Sequence, residues 1–228
     1  MIKAKPKPLD EIISYAKPYR NILIVGCGGC VSVCLAGGQK ETRILQAELL
    51  LRFERMKDLR RIRTRTVERQ CNEQYLEELA PLVEKADCLL SMACGAGVQL
   101  LAERFAHVPV FPAVDTIAIG VDRDIGLYEE RCRACGTCVL AYTAGICPVT
   151  RCAKGLFNGP CGGTNGESCE ISPDIPCAWY EIYKRLSEQN RLDDIMKLQP
   201  PMEWRNQIQR TIVQKGYEAR YAKEPSGS

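Results

Sequence analysis

Fourteen cysteines stand in this chain of 228 residues, and eight of them fall between Cys132 and Cys177. That segment is rich in Gly and Pro and has almost no periodic apolar pattern. It cannot bury enough apolar surface by itself and must be stapled by something. Disulfides persist mainly in oxidising compartments. The N-terminal MIKAKPKPLDEIISYAK starts basic and no apolar run follows it, so export is not expected and the chain is placed in the reducing cytoplasm. Cysteine at this density in such a compartment points to metal or redox chemistry.

The remainder is able to build an ordinary core. The hydrophobic fraction is 46%, and about 40% remains once the Cys residues are set aside. The length suits one large domain or two small ones. A net charge of +3 gives no case for nucleic acid or an anionic membrane as partner. Asn21 to Gln39 carries no charge, which raises the question of a membrane span. Gly26, Gly28, Gly29, Gly37 and Gly38 would break such a helix, and NILIVG reads as a buried strand entering a Gly-rich turn.

Residues 1–20 read as an N-terminal arm holding an amphipathic helix, Leu9 to Ala16, stopped by Pro18. Residues 21–130 read as an α/β domain. Its strands are expected at Asn21–Gly26, Arg61–Val67, Asp87–Met92 and Val108–Phe111, with a fifth at Thr116–Gly120. Helices are expected at Gln39–Met56, Glu73–Ala86 and Val98–Phe105. Such alternation means βαβ units and a small, doubly wound parallel sheet. A Cys-rich, ferredoxin-like domain follows over 131–186, with helix resuming at Ala178–Leu186. Residues 187–228 read as a helical extension, one helix following Pro201, with a disordered tail KEPSGS.

Cys27-x2-Cys30-x3-Cys34 begins at the carboxyl end of the first strand, Cys71 follows the second, and Cys94 follows the third. Ligands of open α/β sheets gather at that edge. Four thiolates suit a [4Fe–4S] cluster or a Cys₄ zinc site. The chosen set is Cys27, Cys30, Cys34 and Cys94, since Cys30 and Cys34 share a face of a helical turn; Cys71 is the substitute. Cys88, inside a strand, reads as a small core residue. A phosphate-binding turn fits less well, because Val31 and Leu100 stand where the dinucleotide fingerprint wants its third Gly.

Cys132-x2-Cys135-x2-Cys138 is a ferredoxin-like run, and Cys147-Pro148 resembles the Cys-Pro that ends such runs, although eight residues precede it instead of three. Cys152, Cys161, Cys169 and Cys177 complete the eight. They suffice for two four-coordinate sites. The CxxCxxC spacing favours a cluster, with zinc at one site left open.

Other features carry less. His107 reads as a surface or satisfied position. Arg52 to Arg69 holds eight basic and three acidic residues, read first as a solvated face and second as a docking patch for an acidic electron carrier. Trp179, Tyr180 and Tyr183 are expected to pack near the last Cys. No Ser–His–Asp set, HExxH or P-loop is present, so no complete active site is legible.

The stretch CRACGTCVLAYTAGICPVTRCAKGLFNGPCGGTNGESCEISPDIPCAWYEIYKRL resembles the methylenetetrahydrofolate reductase C-terminal domain. With VGCGGCVSVCLAGG, VERQC and SMACGAGVQ, the chain over roughly 21–186 is similar to the small iron–sulfur subunit of the two-subunit reductases of acetogenic bacteria. The resemblance implies a partner, a TIM-barrel flavoprotein that reduces 5,10-methylenetetrahydrofolate to the 5-methyl form in the Wood–Ljungdahl pathway. It implies two or three [4Fe–4S] clusters, or zinc in place of one, relaying electrons between that flavin and ferredoxin or another electron-transfer protein. No folate or flavin site carries over to this chain. The alternative is a zinc-stapled structural or regulatory subunit of the same reductase. A nucleic-acid-binding zinc module has only the Arg52–Arg69 stretch behind it and lacks interleaved aromatics.

Overall fold

The computed structural model describes residues 1–208 and 211–221; the KEPSGS tail lies outside the described residues. The chain forms two compact units, Met1–Arg131 and a second beginning at Cys132.

The first unit runs β1 (Ile2–Pro6), α1 (Leu9–Ala16), β2 (Asn21–Cys27), α2 (Cys30–Val33), α3 (Gln39–Arg55) and β3 (Arg61–Val67). A 3₁₀ stretch (Glu73–Leu79) then enters α4 (Ala80–Val83), followed by β4 (Cys88–Met92), α5 (Gly95–Arg104), β5 (Val110–Pro112), β6 (Val114–Asp124) and β7 (Leu127–Cys132). A parallel sheet has the order β3-β2-β4-β5. Its central strand β2 is buried from Ile22 to Cys27, as the unbroken apolar run NILIVG requires of a strand covered on both faces. Successive side chains of β2 part to opposite layers. Ile22 and Ile24 join Ile12 and Ala16 of α1 and Leu45, Leu49 and Phe53 of α3. Leu23 and Val25 join Leu76, Leu79, Val83, Leu101 and Phe105. The result is an α/β unit with helices on both faces of a parallel sheet.

Three local expectations change. Thr116–Gly120 lies within β6, which leaves the parallel sheet and pairs antiparallel with β1, from Ile2↔Ile119 to Pro6↔Val114. The sheet β1-β6-β7 thus recruits the N-terminal arm. Lys3 of β1 is fully buried, its ammonium bonded to Asp122 and 4.4 Å from the centroid of the Tyr128 ring. The expected helix over Glu73–Ala86 is a 3₁₀ stretch followed by one α turn. Pro81 at the start of α4 supplies no backbone donor, so no α-type bond can run from it back to the preceding turn.

The second unit holds α6 (Pro148–Arg151), three short antiparallel strands β8 (Thr164–Asn165), β9 (Ser168–Cys169) and β10 (Ser172–Pro176), and α7 (Ala178–Glu188). A 3₁₀ turn (Leu192–Met196) and single turns α8 (Arg205–Ile208) and α9 (Glu218–Tyr221) follow. Beyond Pro201, then, the described residues hold two single turns, α8 and α9, where one helix was expected. Apolar burial here is thin. One cluster joins Ala144, Ile146, Trp179, Ile182 and Leu186, and another joins Val139, Val149 and Met202. Trp179 is buried and donates from Nε1 to the Leu156 carbonyl at 2.8 Å. Tyr183 departs from its expected inward packing: it stands half exposed on the outer face of α7. Among the described residues no helix is long and apolar enough to cross a membrane.

Leu49 is completely buried between α3 and the sheet. Leu49→Ala is expected to destabilise the first unit by about 2–5 kcal/mol, read as a lowered urea midpoint.

Candidate metal centre

The parallel sheet reverses its winding direction at β2, whose neighbours β3 and β4 lie on opposite sides. In such sheets the crevice outside the carboxyl ends of the strands at the reversal is the ligand position. Cys27 ends β2, Cys30 opens α2, Cys71 follows β3 by four residues, and Cys94 caps α5 just after β4. Close packing forms the turn between them. The Cys27 N–H donates to the Gly37 carbonyl at 2.9 Å and the Gly28 N–H to Val67 at 2.8 Å. A Cβ on Gly37 would stand 2.0 Å from the Met92 carbonyl oxygen, so only glycine permits β2 and β4 to share this turn.

Burial pushes the Cys27 thiol up in pKa, and the Cys71 and Cys94 thiols nearby push the same way. The backbone N–H groups of Gln70 and Gly29 oppose that rise by hydrogen-bonding its sulfur. Cys34 lies elsewhere. It is 5% exposed and faces β1, where its sulfur accepts from the Ala4 N–H at 3.4 Å and its thiol stands 3.6 Å from the Ala4 carbonyl. Cys71 and Cys94 both stand near enough to Cys27 to act on its thiol, while Cys34, in the same apolar cluster as Cys27, is turned toward Ala4. Cys88 is a core residue of β4, and burial drives its thiol pKa up to about 12.

In the second unit the thiols sort by their surroundings. Cys135 and Cys147 pack on the Val139, Val149 and Met202 cluster, with Cys132 at the end of β7 and Cys138 in the loop that follows. Cys152 and Cys177 pack on the Trp179 cluster. Cys169 lies in β9, paired to Thr164 and Ser172, and the Cys177 N–H donates to Glu167 beside it at 2.9 Å. Lys154 reaches from the loop after Cys152 to the Cys161 sulfur at 3.9 Å and also bonds Glu170.

A backbone device recurs. The N–H two residues on donates to sulfur at Cys132 (from Ala134, 3.3 Å) and at Cys161 (from Gly163, 3.4 Å), as Gly29 does for Cys27. Ala134 and Gly136, on either side of Cys135, take positive φ, 51° and 91°. Backbone N–H groups donated to sulfur favour its anionic form, thiolate–metal groups included. Among the described residues no three Cys, His, Asp or Glu side chains stand close enough to hold a metal ion. The fit is thus in donor type and in the amides aimed at sulfur, not in a closed cage.

The basic stretch is largely spent on its own fold. Arg52 pairs with Asp10 at 2.7 Å, Arg60 with Asp58 and the Lys17 carbonyl, Arg65 with Glu78, and Arg69 with Glu68 at 3.4 Å. Arg63 donates to the carbonyls of Leu82 and Lys85. His107 is exposed, with Nε2 3.8 Å from Glu84.

Residues 111–205 match the family described as methylene-tetrahydrofolate reductase C terminal. The matched span holds all eight thiols from Cys132 to Cys177 and is related to that reductase domain; Cys27 to Cys94 fall outside it. No curated protein and no solved structure matches the chain.

The raised Cys88 pKa has a consequence for stability. The fold disfavours its thiolate, so the stability it supports is complete below the unfolded value near 9 and is lost as pH rises toward 12. Urea midpoints measured across pH 8–11 are expected to fall less steeply for Cys88→Ala than for the parent chain.

Proposed function

We propose that the chain is an iron–sulfur subunit of a methylenetetrahydrofolate reductase, carrying electrons between ferredoxin or another redox protein and the flavin of a separate TIM-barrel catalytic subunit. The reaction served is reduction of 5,10-methylenetetrahydrofolate to the 5-methyl form, in the Wood–Ljungdahl pathway. The observation that carries this reading is the run of eight thiols, two of them accepting backbone N–H groups at sulfur, inside a segment related to the reductase C-terminal domain. Bound there, [4Fe–4S] groups supply one-electron transfer, with potentials set by charge, burial and hydrogen bonds to sulfur.

The ligand sets follow the surroundings of each thiol. Cys27, Cys30, Cys71 and Cys94 hold the first group, with Cys34 left in the core. Cys132, Cys135, Cys138 and Cys147 hold the second, and Cys152, Cys161, Cys169 and Cys177 the third or a zinc ion. Lys154 beside Cys161 offsets negative charge at that site. A zinc-stapled subunit without electron transfer is the second reading, favoured by the thin apolar clusters of the second unit, which any bound metal would reinforce.

The test is iron, sulfide and zinc per chain after anaerobic purification, with the visible spectrum. About eight or twelve irons with matching sulfide are expected, for two or three clusters. Zinc without iron would overturn the relay. At the first site, Cys71→Ala is expected to lose about four irons while Cys34→Ala keeps the full complement. The reverse pattern would return Cys34 to the ligand set.

A further inference from the structure

Gln70 precedes Cys71 in the loop after β3, yet it is completely buried. A carboxamide placed there costs free energy unless each end is bonded. Both ends are. Nε2 donates to the Val25 carbonyl at 2.8 Å, and Oε1 accepts from the Ser91 hydroxyl at 2.6 Å. Val25 and Ser91 are register partners across β2 and β4, so one side chain bridges the two strands at the point of reversal. The backbone N–H of the same residue lies near the Cys27 thiol and opposes the rise in its pKa. Below lies the layer of Leu23, Val25 and Leu89. Above, the first turn of α5 comes so near that a Cβ on Gly97 would stand 2.9 Å from the Gln70 Cβ. Gln70 thus touches the strand that ends in Cys27, the strand that leads to Cys94 and the helix that Cys94 caps, while its own neighbour is Cys71.

Packing alone does not account for this choice. A Leu or Met would fill the volume without a buried polar group, whereas the amide is matched to one acceptor and one donor at fixed spacing. The loop over 68–71 has no strand or helix of its own. Its attachment to the sheet is the Gln70 carboxamide.

We propose that Gln70, with Ser91 as its anchor, is the positioning residue of the first thiol site: it fixes the Cys71 loop against β2 and β4. This rests on the reading of that site as metal-bearing. Outer groups that orient ligands in this way typically contribute 10–100-fold to metal retention.

The experiment uses the full chain purified without oxygen. Cys94→Ala first identifies the signal of this site, as the electron paramagnetic resonance component and the irons that disappear. Gln70→Met, close in volume but unable to bridge, is then expected to keep the melting curve of the first unit nearly intact. That component is expected to shift in g-values and midpoint potential, and to lose its iron to a chelator about 10–100-fold faster. Ser91→Ala, the milder variant, is expected to move the same observables in the same direction. An unchanged component in both variants would overturn the role of Gln70. If Cys94→Ala removes no signal, the metal reading of the site fails instead. The positioning claim is then read in the metal-free chain by amide hydrogen exchange over residues 69–73. There Gln70→Met is expected to speed exchange at least about tenfold, and unchanged exchange overturns it.

Discussion

Strand β2 has no solvent-facing side from Ile22 to Cys27, and that double burial organises the first unit. Each alternate residue commits a helical layer to one face of the sheet. Because β3 and β4 flank it on opposite sides, three chain segments end at the same carboxyl edge. The thiols after those segments need no long loops to approach one another. Their proximity is inherited from the order of the strands, which in turn depends on an apolar hexapeptide too hydrophobic to serve as an edge.

The second unit follows a different economy. Its apolar clusters are too small to order a Gly- and Pro-rich chain, so conformational entropy has to be overcome by links between distant residues. Hydrogen bonds do part of this, as between Cys177 and Glu167 or Lys154 and Glu170. Metal–thiolate bonds would do the rest, and binding and folding would then be one equilibrium rather than two. The first unit has a core independent of its thiols. Loss of metal is therefore expected to leave one unit folded and loosen the other.

Legibility from the sequence tracked the range of the interactions involved. The helix Leu9–Ala16, the strands Asn21–Cys27 and Arg61–Val67 and the helix at Ala178 announce themselves through periodicity and neighbouring Pro or Gly. The antiparallel sheet did not, because IKAKP looks solvated until Asp122 and Tyr128 arrive from more than 100 residues away to receive Lys3. The setting of Cys34 was hidden by the same gap. Helical spacing joins Cys34 to Cys30, and only the unforeseen β1 shows why Cys34 turns inward instead. Gln70 carried no signal at all in VERQC: a glutamine in a loop reads as exposed, and its burial depends on Val25, Ser91 and Gly97 meeting around it.

If the proposed reading holds, the seat of Cys34 also bears on how the chain would acquire a metal. In an unfolded chain Cys27, Cys30 and Cys34 are interchangeable chelators, close enough to capture an ion before any sheet exists. Folding makes them unequal, since docking of β1 closes the Ala4 backbone over the Cys34 thiol alone. An ion seized early by Cys34 would have to be surrendered before the N-terminal strand could pair. On the proposed reading, correct loading would be tied to chronology: the strand nearest the N-terminus would act as a proofreader, leaving metal only in a chain whose farthest-separated sheet partners have already met.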